Sequence, residues 1–192
     1  MTGGVQLRPA VAGDADAVVP LLVEAQDHLA RELAGVDDWR DAVPLFRELF
    51  VARGHRYSHE HTYVLETDQG IAAAILAYPG RDEAALASAA LARVRARQPS
   101  RSLRHVPESR PDEFYLDALA VTPAQRGRGH AARLVEAVCA QARAAGHARA
   151  GLLVDEAKPG VKRLYQQLGF AVDGECRLAG RRHLHMSRAL AP

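Results

Sequence analysis

The spacing of apolar positions changes period several times along this chain, and each change marks an element. Val18, Leu21, Leu22, Ala25, Leu29 and Leu33 recur at i, i+3, i+4 and i+7, which predicts one amphipathic helix after the turn Ala12-Gly13-Asp14, with Asp14 as N-cap. Pro20 lies inside that stripe and removes a backbone hydrogen bond, so the helix kinks or begins there. Val5 to Pro9 reads as a short first strand, and Trp39 to Ala52 as a second helix with Val43, Phe46, Leu49 and Phe50 on one side. Thr62 to Thr67 and Ile71 to Tyr78, separated by Asp68-Gln69-Gly70, form a predicted hairpin. A helix from Asp82 to Arg97 and a Pro-punctuated loop follow, then a strand from Phe114 to Val121. The helix predicted from Gly129 to Ala145 buries Ala131, Leu134, Val135, Val138 and Ala142 and stops at Gly146. A strand over Ala148 to Val154 leads to a short helix whose apolar side is Val161, Leu164, Tyr165 and Leu168, ended by Gly169. Two strands, Phe170 to Leu178 and Arg182 to Leu190, close the chain. Strands interleaved with helices in this order predict an α/β fold.

Length and composition narrow the picture. A chain of 192 residues, 48% hydrophobic, supports one well-buried core and is short for two, so a single domain over 1-192 is expected. The net charge is +2 with acidic and basic residues interspersed, which does not point to a nucleic-acid binder. Lys158 and Lys162 are the only lysines; the arginine and alanine richness is associated with GC-rich bacterial genomes. Cys139 and Cys176 make no disulfide framework and have no metal-ligand spacing, so both are expected as buried, reduced thiols. Met1-Thr2-Gly3-Gly4 lacks a basic start followed by an apolar core, and no apolar run approaches about 18 residues. A cytoplasmic protein without membrane contact is the expectation.

The strand ending at Val121 and the helix beginning near Gly129 are joined by Arg126-Gly127-Arg128-Gly129-His130-Ala131. Small residues at Gly127, Gly129, Ala131 and Ala132 leave the backbone open, and the unpaired N–H groups of a helix start can bind an anion through main chain alone. Gly127, Gly129 and Ala132 also satisfy a degenerate dinucleotide fingerprint, but that fold places its motif in an early βα turn with several βα units after it, and here only one follows. The segment fits Arg/Gln-x-x-Gly-x-Gly/Ala and resembles the pyrophosphate-binding signature of the GCN5-related N-acetyltransferase (GNAT) family. Phe114 to Pro123 resembles that family's fourth strand, and Leu164-Tyr165-Gln166-Gln167-Leu168-Gly169-Phe170 its Leu-Tyr-x-x-x-Gly-Phe element.

The resemblance spans the chain apart from an insertion at about 79-112. It implies a mixed central β-sheet with helices on both faces and splayed fourth and fifth strands. It further implies acetyl-coenzyme A as co-substrate, bound by Leu119, Ala120, Val121, Arg126, Gly127, Arg128, Gly129, His130, Ala131 and Ala132, with the pantetheine arm along the backbone of Leu119 to Val121. The implied reaction is direct transfer of an acetyl group to a primary amine of a small molecule or protein. An acyl-coenzyme A sensor without turnover is the alternative. The insertion carries Arg93, Arg95, Arg97, Arg101, Arg104, His105 and Arg110, either a basic lid beside the acceptor site or a solvated face.

Acyl transfer from a thioester needs a route for the amine proton and a proton for the leaving thiolate. Tyr165, protonated at neutral pH and at the family's Leu-Tyr position, is the candidate acid. Its other reading is an aromatic packing residue. Glu113 and Asp117, which alternate with Tyr115 onto one strand face, are the candidate bases, with recognition of a cationic acceptor as the alternative for Asp117. His61 and His105 rest only on the imidazole pKa. Lys158 stands where many relatives carry a coenzyme-contacting asparagine; it can reach a phosphate or sit in solvent. His55, His59 and His61 lack the partners of a metal site, and His183, His185 and Ser187 read as a polar sheet face, so no metal is expected. Exposed final strands could support a homodimer.

Overall fold

Ala72 to Tyr78 are buried without interruption, so the strand that holds them must be covered on both faces. The computed structural model, which describes residues 5–190, makes that strand (β3, Gly70–Pro79) an interior strand of a seven-stranded sheet. Met1-Thr2-Gly3-Gly4, and with them the reading on a leader, lie outside the described residues. The other strands are β1 (Gln6–Pro9), β2 (Thr62–Thr67), β4 (Phe114–Val121), β5 (Arg149–Asp155), β6 (Ala171–Leu178) and β7 (Arg181–Ala189), in spatial order β1-β2-β3-β4-β5-β7-β6. Among the described residues only β4 and β5 run parallel. That crossover carries α5 (His130–Ala144), whose Leu134, Val135, Val138 and Cys139 pack on one sheet face with Leu152, Val154 and Met186. The other face is covered by α1 (Ala15–Gln26), α2 (His28–Ala34), α3 (Trp39–Val51) and α4 (Glu83–Arg97), around Val18, Leu22, Phe46, Phe50, Tyr78 and Tyr115. The short α6 (Pro159–Gln167) follows β5 and buries only Tyr165.

The single helical stripe expected from Val18 to Leu33 is divided. Asp27 adopts φ 37°, ψ −97° between α1 and α2, although its amide still donates to Val23 O at 2.8 Å. The apolar stripe persists across the break, with Ala30 and Leu33 buried, which is why periodicity did not reveal it. Pro20 stays within α1. Two smaller expectations change. His130, not Ala131, is the buried residue at the start of α5, and Cys176 is half-buried because β6 is an edge strand with a solvent-facing side.

The segment between α4 and β4 is pinned down by its own arginines. Arg101 donates to Leu33 O at 2.8 Å, to Glu32 O at 2.5 Å and to Gln98 Oε1 at 3.0 Å, capping α2. Gly35, at φ 73°, lies under that guanidinium, which a Cβ would meet at 2.7 Å. Arg95 donates to Leu103 O and Arg110 pairs with Asp173 at 2.8 Å. Glu83, 3% exposed at the start of α4, accepts from the amides of Glu108 and Ser109, both at 2.8 Å, from Ser109 Oγ at 2.5 Å and lies 3.1 Å from His105 Nε2.

Candidate functional site

The parallel pairing of β4 and β5 lasts only from Phe114–Ala150 to Leu116–Leu152; beyond it the strands part. A bulge falls at the same point. Leu76 of β3 opposes Ala118 and Ala77 opposes Leu116, leaving Asp117 as the extra residue. A bulge bends its strand and re-aims side chains. Here it reverses the alternation: Tyr115 packs on the α1 side before it and Ala118 after it, while Leu116 and Leu119 face the α5 side. The splay leaves the β5-facing backbone edge of β4 without a strand partner after Leu116.

A cavity of about 560 Å³ opens at this splay. Of the ten residues expected to bind the coenzyme, all but Arg128 line it. Arg128 is exposed beside it. Gly127 and Gly129 adopt φ 76° and 77°, the left-handed region that favours glycine, and added Cβ atoms there would meet nothing within 4 Å. The cradle is open. Arg133 N makes the first helical bond, to Gly129 O at 3.0 Å, so the preceding amides at the α5 start have no intrahelical partner and can bind an anion. The loop is braced from below by buried Gln125, 2.5 Å from Gln69 Oε1 and 3.4 Å from His130 Nε2. His130 therefore offers main chain, its ring being turned inward. Arg126 donates to Val121 O at 3.2 Å.

A second cavity, about 220 Å³, lies on the α1–α2 side and shares Ala25, Leu119, Val161 and Tyr165 with the first. Tyr165 packs edge-on against Phe170, and burial raises its hydroxyl above the ordinary tyrosine value. Asp117 accepts from Arg56 Nη2 at 2.7 Å, Tyr78 OH at 2.9 Å and Gln26 Nε2 at 3.2 Å. Arg56 also pairs with Glu108 at 2.7 Å, whose other oxygen accepts from Tyr115 OH at 3.1 Å. Burial opposes the charge of Arg56 but is outweighed by Asp117 and Glu108, so its pKa rises. Burial raises Glu108 above the ordinary carboxylate value, against the pull of Arg56. Across the cavity, burial, with Arg181 and His183 nearby, brings His28 down to about 4. A third space of about 130 Å³ adjoins through Gln26, Leu29, Glu108 and Leu178, under residues 102–106.

Tyr165 and Asp117 are thus brought to one cavity. Glu113 is not among its lining residues. It precedes β4, fully buried, with Oε1 at 3.1 Å from His185 Nε2 and 2.9 Å from Arg110 N, and lies so close over Gly151 that a Cβ there would come within 2.2 Å of it. Lys158 neither reaches the glycine loop nor sits free; its Nζ donates to Ala25 O at 3.2 Å beside the second cavity. Of the insertion's arginines, Arg93 and Arg97 line a separate cavity against α3, away from the glycine loop, whereas Arg104 lines the third space. His105 is there too, while His61 packs against Tyr78. Glu108 and Arg56 escaped the sequence reading. Neither belongs to a motif, and Glu108 is an isolated acid at the end of a basic loop.

Among solved structures, an acetyltransferase shares 28% identity with this chain, with a TM-score of 0.77 over 96% of this chain and 99% of its own. An N-acetyltransferase from Staphylococcus aureus, 22% identical, gives a TM-score of 0.75 over 95% and 99%. A Corynebacterium glutamicum protein described as histone acetyltransferase HPA2 and related acetyltransferase, 21% identical, gives 0.67 over 98% and 96%. No curated protein matches the sequence significantly. The model of the acetyltransferase (GNAT) family matches residues 27–170.

Proposed function

Because the chain belongs to the GNAT family and is an acetyltransferase, we propose that it transfers an acetyl group from acetyl-coenzyme A directly to a primary amine held in the 220 Å³ cavity. The observation that carries this reading is the wall of Ala25, Leu119, Val161 and Tyr165 common to both cavities, which is where a thioester and an amine would meet. The glycine loop and the amides opening α5 suit a pyrophosphate, and the free edge of β4 over Leu119–Val121 suits the amide groups of a pantetheine arm. A main-chain N–H at that edge would polarise the thioester carbonyl.

In the reaction the amine nitrogen forms a bond to the carbonyl carbon and the carbon–sulfur bond breaks. The proton needed by the departing thiolate comes from Tyr165, whose raised pKa keeps it protonated through the physiological range. The proton lost by nitrogen passes to a carboxylate, directly or through water. Glu108 is the better placed one. Burial raises its pKa above the ordinary carboxylate value, and it faces both acceptor-side spaces. Asp117 is saturated by Arg56, Tyr78 and Gln26, which suits a positioning role, and Glu113 lies outside the cavity wall. Carboxylates at Glu108, Asp117 and Asp155 favour a cationic acceptor.

The test is thiol release from acetyl-coenzyme A over a panel of small amines and amino-terminal peptides. Tyr165→Phe and Glu108→Gln should each lower kcat about 10²-fold or more while coenzyme A still raises Tm as in the parent. Coenzyme binding without acetyl transfer to any amine would favour the sensor alternative. No Tm shift with coenzyme A would refute the donor site.

A further inference from the structure

We infer that His28, Asp155 and His183 form a binding site for one divalent transition-metal ion, Zn²⁺ foremost, in the wall of the acceptor cavity. One ligand atom from each lies within 4.8 Å of the other two, and all three residues line the 220 Å³ space. A tetrahedral ion with bonds of 2.0–2.1 Å needs its donors about 3.4 Å apart, a contraction that side-chain rotation supplies. The two imidazoles are already set for it. Their ring centroids are 5.5 Å apart, and two imidazoles on one tetrahedral ion hold their centroids about 5 Å apart.

The chemistry of each donor fits. His28 has both ring nitrogens buried without a hydrogen-bond partner, a costly state for a polar group that a metal would relieve. His183 Nδ1 is 3.2 Å from Arg181 O and can donate to it, which leaves Nε2 with its lone pair towards a ligand, the outer bond that metal-binding histidines usually make. Asp155 Oδ1 accepts from the Ala157 amide at 2.9 Å, which fixes the orientation of the carboxylate. Arg181, 3.2 Å from Asp155 Oδ2, is 44% exposed and can swing to solvent when an ion replaces it. Lys158 is already tied to Ala25 O.

The backbone supports the same reading. His28 is carried to His183 by the break at Asp27, whose φ of 37° is unfavourable for a residue with a side chain. Such strain tends to persist where a site needs it. Two histidines and one carboxylate suit Zn²⁺, Co²⁺ or Fe²⁺ and leave at least one position open. That position faces the cavity containing Asp117 and Tyr165, so a donor atom of the acceptor could complete the coordination. The site itself stands whether or not the acetyl-transfer reading does.

The experiment uses the full chain, stripped with a chelator and titrated with Co²⁺, read by visible absorption, and with Zn²⁺ against a chromophoric competitor. One equivalent of Co²⁺ should bind with the intense bands of a low-coordinate ion, and Zn²⁺ should displace it. His28→Gln, Asp155→Asn and His183→Ala should each weaken binding by at least about tenfold, the scale at which losing even an outer-shell partner is felt. His147→Gln, distant from the cavity, should not. His28→Gln keeps the site testable if His183→Ala does not fold, and a parent-like far-UV circular dichroism spectrum with a single cooperative melt reports an intact fold in it. Binding that is equally strong in His28→Gln and the parent, or no binding of either ion at micromolar concentration, would overturn the site.

Discussion

Replacing Glu83 by Gln should remove a block of stability that depends on pH in a defined direction. Burial alone would raise this carboxyl, but hydrogen bonds from His105, Ser109 and the amides of Glu108 and Ser109 outweigh it and bring it down to about 2, from 4.5. A carboxyl with a lowered folded pKa binds protons more weakly folded than unfolded, so its contribution is complete above 4.5 and is lost as pH falls towards 2. At 1.36 kcal/mol per pH unit the full contribution is about 3 kcal/mol at pH 7, falling to about 1.5 kcal/mol at pH 3. Glu83 is 3% exposed, so solvent screening does not erase it. Urea unfolding of parent and Glu83→Gln at pH 7, 5, 4 and 3 measures the gap. A gap that is flat across that range, or that widens on acidification, would refute the reasoning. Because Glu83 holds the amides of Glu108 and Ser109, the variant should also loosen the loop bearing Glu108, seen as faster amide exchange over residues 107–110.

Gly151→Ala places a Cβ within 2.2 Å of the Glu113 carboxylate, which should cost about 3 kcal/mol in urea unfolding; a neutral substitution would mean that Glu113 is not held there. Gly129→Val forces a β-branched residue to φ 77°, a strain of about 1–2 kcal/mol that should appear as roughly tenfold weaker coenzyme A binding by calorimetry. The raised pKa of Glu108 predicts that kcat/KM falls with acidification at a pH above 4.5, and Glu108→Gln should abolish that limb, whereas Asp117→Asn should keep it. The same Asp117→Asn change, by leaving Arg56 with Glu108 as its remaining anion, should lower unfolding stability by about 2 kcal/mol in a denaturant titration.

The open geometry of the glycine loop was legible in sequence because it is local. Gly127, Gly129 and the start of α5 are neighbours in the chain, and left-handed φ and free amides are properties that residue type and order betray. The strand and helix framework was legible for the same reason, since period follows from local geometry. The acceptor side was not. Arg56, Glu108, Asp117, His28 and His183 come from five distant segments and meet only through tertiary packing. Asp117 was singled out, but the bulge that sets it beside Ala118 on one face is invisible in the alternation of Phe114 to Val121. The Asp27 break was hidden by an apolar stripe that continues through it. Arginines in the insertion read as a basic lid or a solvated face, whereas Arg95 and Arg101 are consumed in capping backbone carbonyls.

The wall of Ala25, Leu119, Val161 and Tyr165 has a kinetic consequence. Under the proposed reaction, two reservoirs that share this partition can be full at the same time, so the productive species would be a ternary complex to which each substrate adds while the other is in place. Neither thiol of the chain lines the partition: Cys139 is on the buried face of α5 and Cys176 lies on the edge strand. With no thiol there to store the acetyl group between half-reactions and the Lys158 amine tied to Ala25 O, initial-rate plots at varied amine and fixed thioester should intersect rather than run parallel, and radiolabelled acetyl should not remain on the protein after gel filtration.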